Sequence, residues 1–134
     1  MEKRGRVNLK KYLNSLSILV LILIIILIFT LIDIFVHSLS EEYAVPDYYY
    51  RNKIIFGTLI GFITYFFVKK KKLLTKSLIF SAVVSILLQI RYFLEGYSKL
   101  FVFEFLVLHF LMLFPVSLII FKTLENRFLK GGKF

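Results

Sequence analysis

The sequence predicts an all-α membrane protein, a bundle of four transmembrane helices with both termini on the cytoplasmic side. Three observations predict it. The first is composition: 59% of the 134 residues are hydrophobic, 16 of them Phe and 8 Tyr, and mean hydropathy is +0.82. Soluble domains hold roughly 45–50% apolar residues, and a single core of this size could not hide the excess. The second is that the apolar residues gather in four runs, where about 20 residues cross a hydrocarbon layer of about 30 Å. The third is charge. The net +10 sits in three basic clusters that punctuate the runs, which is the pattern of membrane topology. A nucleic-acid face would spread or stripe such charge, so no nucleic-acid partner is expected. The absence of cysteine excludes disulfides, thiolate metal sites and thiol catalysis.

The first helix is expected at about 15–38, where the apolar run 16–36 is interrupted late only by Thr30 and Asp33. A cleaved signal peptide is the rival reading, but the run exceeds the usual apolar segment of about 7–15 residues. The second is expected at about 52–68 and is short for a full crossing. Tyr48, Tyr49 and Tyr50 would sit in the interface, and Arg51, Lys53 and Lys69 would snorkel to cover the mismatch. A re-entrant segment is the alternative. Pro46 turns the chain ahead of this helix, because Val45 before it is biased away from helical backbone. Asn52 and Lys53 could there contact an anionic headgroup.

The third helix is expected at about 73–95 and the fourth at about 99–121, the latter carrying Glu104, His109 and Pro115. Proline is tolerated in a spanning helix where neighbours satisfy the freed carbonyl. The turn from Glu95 to Lys99 is short, so these two helices should be antiparallel neighbours. Residues 1–134 read as one integral membrane domain, without linker or internal repeat.

Orientation follows from the basic residues, which stay on the cytoplasmic side of short loops. The N-terminal segment holds Lys3, Arg4, Arg6, Lys10 and Lys11, the loop after helix two Lys69 to Lys72 and then Lys76, and the C-terminal segment Lys122, Arg127, Lys130 and Lys133. With four helices, 14 of the 18 basic residues fall on one side; the acids Asp33, Glu41, Glu42, Asp47, Glu95 and Glu104 fall on or near the other. The plasma membrane is the expected location. The bilayer itself, with anionic headgroups on the cytoplasmic face, is the expected partner.

Small residues mark close helix contacts in lipid. Gly57, Gly61 and Thr64 form such a stripe on helix two, and Ser77, Ser81 and Ser85 form another on helix three. Packing within the monomer accounts for both, with a homo-oligomer seam or a membrane protein partner as the alternative.

Ionisable residues inside spanning helices are expensive and point to function. Asp33, His37 and Glu41 share a face if helix one continues, Gln89, Arg91 and Glu95 end helix three, and Glu104 and His109 lie on helix four. Together they predict a polar cluster in the outer half of the bundle, with almost nothing comparable in the inner half. Asp33, His37, Glu104 and His109 are the candidate metal ligands, since carboxylate and imidazole suit Zn, Mn or Fe. Their spacing is no dedicated metal motif, and no catalytic residue is assigned. The bland alternative pairs Arg91 with Glu95 or Glu104, puts His37 among the headgroups and lets His109 donate to a backbone carbonyl or a serine. No cofactor is required by the sequence, although a divalent metal would fit.

Three functional readings follow. The first is a non-enzymatic accessory or scaffold subunit. The second is a metal-assisted hydrolase or transferase acting on a lipid-linked substrate at the outer leaflet. The third is a small transporter or channel using Glu104 and His109.

Overall fold

The computed structural model describes residues 2–129 and is all-helical. Four helices are each long and apolar enough to cross a membrane: α1 (Glu2–His37), α2 (Tyr48–Val68), α3 (Leu73–Leu94) and α4 (Lys99–Leu129). Lys130 and Lys133 of the third basic cluster lie outside the described residues.

The helix ends follow local chemistry. α1 stops at His37, and Glu41 falls in a separate 3-10 turn, Glu41–Tyr43, whose first residue follows Ser40; the Ser40 hydroxyl accepts the Glu42 N–H. The face shared by Asp33, His37 and Glu41 therefore ends at His37. α2 begins four residues earlier than expected, because the carbonyls of Pro46 and Asp47 accept the N–H groups of Tyr49 and Tyr50 and start the first turn. Its 21 residues reach the length of a full crossing. α3 ends in a Schellman motif: the Tyr97 N–H bonds the Tyr92 carbonyl and the Gly96 N–H bonds that of Phe93. This needs the left-handed backbone of Gly96, φ 89°. α4 runs to Leu129, well past 121, since nothing after Lys122 breaks the helix and Leu124 and Phe128 continue its apolar face onto the core.

Each helix packs on its chain neighbours, and α4 closes the ring against α1, while the diagonal pairs make no close backbone approach among the described residues. The pairings run antiparallel. From one end of α3 to the other, Lys76, Ser81 and Gln89 meet Glu125, Ser117 and His109 of α4. On α2, Lys53, Gly57 and Gly61 meet Asp33, Ile26 and Ile22 of α1. One end of the bundle thus carries the α1–α2 and α3–α4 connections; the other carries the α2–α3 loop and the outer ends of α1 and α4.

The middle of the bundle is apolar. Ile18, Leu21, Ile22, Ile25, Phe80, Val84 and Leu113 form its continuous core. The small-residue stripes lie inside it. A Cβ on Gly61 would stand 2.8 Å from Ile22 and 3.1 Å from the Phe80 ring, and one on Gly57 would stand 3.3 Å from Ile26. Ser77, Ser81 and Ser85 are buried with Thr64, and the Ser81 and Ser117 hydroxyls meet at 3.1 Å between α3 and α4. The outward faces stay apolar too, with Leu31, Phe35, Ile63, Phe67, Phe103 and Leu111 exposed. A helix apolar on all sides suits lipid rather than water.

Candidate functional site

All four helices contribute to one buried polar centre near the connection end. α1 supplies Asp33 and His37, one turn apart; α2 supplies Lys53 from its second turn; α3 supplies Gln89 and Tyr92; and α4 supplies His109. Asp33 and His109 are 0% exposed and Lys53 only 4%. The Lys53 ammonium donates to the Asp33 carboxylate and lies 3.2 Å from His37 Nε2 and 3.3 Å from His109 Nε2. His109 Nε2 is 3.0 Å from the second Asp33 oxygen, and His37 Nε2 is 3.4 Å from the first.

The imidazoles are held from behind. His37 Nδ1–H donates to the Tyr43 carbonyl, which the turn Glu41–Tyr43 brings over the end of α1, and its ring stacks on Phe105 at 4.3 Å. His109 Nδ1 bonds the Gln89 side-chain amide, and Phe29 meets its ring edge-on. Tyr92 lies beneath the ammonium, its ring 5.0 Å from Lys53 Nζ and its hydroxyl 3.5 Å from His37 Nε2. A buried ammonium and carboxylate need such surroundings, because a lone charge in this interior would cost several kcal/mol.

Of the residues expected to cluster, Asp33, His37, Gln89 and His109 come together. Glu41 is exposed in the connecting turn. Arg91 and Glu95 form a separate, partly exposed pair at 3.5 Å. Glu104 stays out as well: it precedes His109 by five residues, about 140° around the helix. Asp33, His37 and His109 alone offer ligand atoms that all lie within 4.8 Å of one another among the described residues.

Several expectations are corrected. Lys53 does not snorkel to the interface; it turns inward onto Asp33. His37 does not sit among headgroups but is 2% exposed, and His109 meets Gln89 and Asp33 rather than a backbone carbonyl or serine. The sequence held a signal for the missed residues. Lys53 precedes Gly57 and Gly61 at intervals of four, and Tyr92 follows Ser81, Ser85 and Gln89 on one stripe. Residues in line with a small-residue seam face the bundle whatever their charge.

Nor is the other end empty of polar groups. Lys76, 4% exposed, donates to both oxygens of Glu125 at 2.6 Å, and the Tyr65 hydroxyl donates to the same carboxylate at 2.9 Å. The extension of α4 beyond 121 carries Glu125 there.

A cavity of about 280 Å³ between α2 and α3 reaches the main centre from the side, with Asn52, Lys53, Phe56, Leu88, Arg91 and Tyr92 among its lining residues. The site combines a buried ion pair, two oriented imidazoles and lateral access. No known protein family, curated protein or solved structure matches the chain.

Proposed function

We propose that this chain is a multi-pass plasma-membrane protein with both termini and the α2–α3 loop cytoplasmic, acting as a non-enzymatic accessory or scaffold subunit. The observation that carries the scaffold reading is that the Asp33–Lys53 centre draws one or more side chains from every helix and is shut away from solvent. Such a centre fixes the mutual register of the helices, as buried polar groups do where one arrangement must win over near-equivalents. The apolar exterior then offers lipid, a second copy or a membrane partner its contact surface. Anionic headgroups meet the basic end. The filled apolar layer between His109 and that end weighs against a conduction path.

A second reading has its own support. The convergence of Asp33, His37 and His109, with a lateral cavity reaching the centre, also fits metal-assisted hydrolysis or transfer on a lipid-linked substrate at the outer leaflet.

Topology is testable because the chain is cysteine-free. In intact cells a membrane-impermeant maleimide should label Glu42→Cys and spare Lys70→Cys; the reverse pattern would overturn the orientation. The role is tested by replacing Asp33 with Leu and Lys53 with Met together. A folded double variant that still complements a deletion strain supports the scaffold, whereas a folded variant that fails to complement sinks it.

A further inference from the structure

Asp33, His37 and His109 present one carboxylate and two imidazoles to a common point, with ligand atoms all within 4.8 Å of one another. This donor set suits zinc and related first-row divalent ions. Proximity alone would be weak grounds, since histidines and acids often meet as ordinary hydrogen-bond partners.

The outer contacts add a stronger argument. His37 and His109 both turn Nε2 to the common point, and both have Nδ1 engaged from the opposite side. The Tyr43 carbonyl can only accept, so His37 donates from Nδ1, and in the neutral ring the lone pair is then the one on Nε2, turned to the common point. Gln89 is the partner that suits either tautomer of His109. Its N–H₂ now faces Nδ1, and its Oε1 is buried with no hydrogen-bond partner. Turning the amide over lets Oε1 accept from Nδ1–H, which frees the His109 Nε2 lone pair as well. Outer-shell groups that fix the tautomer and aim the ring are what metal-binding histidines require.

The common point already holds a cation. Lys53 Nζ bonds Asp33 and lies 3.2 Å and 3.3 Å from the two Nε2 atoms. The ammonium therefore stands where an ion bound to the three residues would stand. Lys53 also has somewhere to go, since its side chain lines the cavity of about 280 Å³ between α2 and α3. The Tyr92 ring lines that same cavity and can still face a displaced ammonium, whereas the Tyr49 ring there is already covered by the Arg91 guanidinium at 5.5 Å.

We propose that Asp33, His37 and His109 form a binding site for a zinc-class divalent ion, with Lys53 as a built-in competitor that occupies the site without the ion and swings into the α2–α3 cavity when it binds. Three protein ligands leave a position open on a tetrahedral ion, and the Tyr92 hydroxyl, 3.5 Å from His37 Nε2, borders it. The proposal goes beyond the scaffold reading, which it neither needs nor endangers: the metal would join α1 and α4 directly and α3 through Gln89, while α2 stays packed on α1 through Gly57 and Gly61.

The test is zinc titration of the full-length protein in detergent by calorimetry, with elemental mass spectrometry after desalting. Stoichiometric zinc is expected in the wild type. Lys53→Met, which removes the competing charge, should bind about tenfold tighter or more, a change of roughly 1.4 kcal/mol. Gln89→Ala should weaken binding about tenfold, the lower range for loss of an outer-shell partner. His37→Ala and His109→Ala should abolish it, and Glu104→Gln should leave it unchanged. A folded Lys53→Met protein that takes up no zinc overturns the proposal, as does zinc retained undiminished in both histidine variants. Should those variants fail to fold, X-ray absorption at the zinc edge of Lys53→Met decides: imidazole scattering supports the site, and its absence removes it. Folded wild-type protein that takes up no zinc likewise overturns the proposal and leaves the lysine-locked scaffold standing.

Discussion

Two buried lysines invite comparison. Lys53 and Lys76 are each 4% exposed, each bonds a carboxylate, and each lies over aromatic rings, Tyr50 and Tyr92 in one case and Tyr65 and Phe121 in the other. The Lys76 site is saturated: Glu125 receives the ammonium on both oxygens and the Tyr65 hydroxyl besides, and its side chain stays 15% exposed at the end of the bundle. The Lys53 site is closed to solvent, and its ammonium faces three potential metal ligands, one carboxylate and two imidazole nitrogens. A saturated pair near the bundle end can do little beyond locking two helices. A centre that gathers a carboxylate and two imidazoles around one cation can exchange that cation for another, which is why only one of the two is a candidate site.

The largest expected effect lies at the closed centre. Asp33→Leu leaves the Lys53 ammonium buried without a counter-charge and should cost about 3–5 kcal/mol in reversible unfolding in mixed micelles. Adding Lys53→Met should restore most of it, because replacing both partners by apolar groups of similar volume is often neutral. A double variant as unstable as the single one would break the comparison, showing that the centre is more than an ion pair even for stability.

Next comes the apolar layer between the two lysine sites. Gly61→Ala puts a methyl 2.8 Å from Ile22 and 3.1 Å from Phe80, and overpacking of that kind costs about 1–3 kcal/mol. Gly57→Ala, with its nearest atom at 3.3 Å, should cost less in the same assay. Equal costs would mean that the helices slide apart freely, and the layer would not insulate one end from the other.

The smallest effect is expected at Lys76. Glu125→Gln should lower stability clearly less than Asp33→Leu, because Lys76 lies in the first turn of α3 and can swing its long stem toward water. A loss as large as that of Asp33→Leu would show the two sites to be equivalent locks.

Four helices long and apolar enough to span a membrane were legible from composition and run length, because the hydrocarbon thickness dictates how many apolar residues a crossing takes. The small-residue stripes gave the inward faces of α2 and α3 through helical periodicity alone. Four members of the centre, Asp33, His37, Gln89 and His109, could be picked out because polar groups are costly at such depth. Tertiary structure decided the rest. Lys53 reads as an interfacial residue until the start of α2 at Tyr48 and the neighbouring Asp33 of α1 turn it inward. Glu104 and His109 lie about 140° apart on any α-helix, and only the packing of α4 decides that His109 is the one that faces the centre. Glu125 reads as part of a solvated tail until α4 carries it over Lys76. A chain by itself determines how apolar each helix is and where its polar residues fall along the axis. Which of them meet depends on how four such helices are rotated about their own axes, and that is settled only when every buried charge has found its partner.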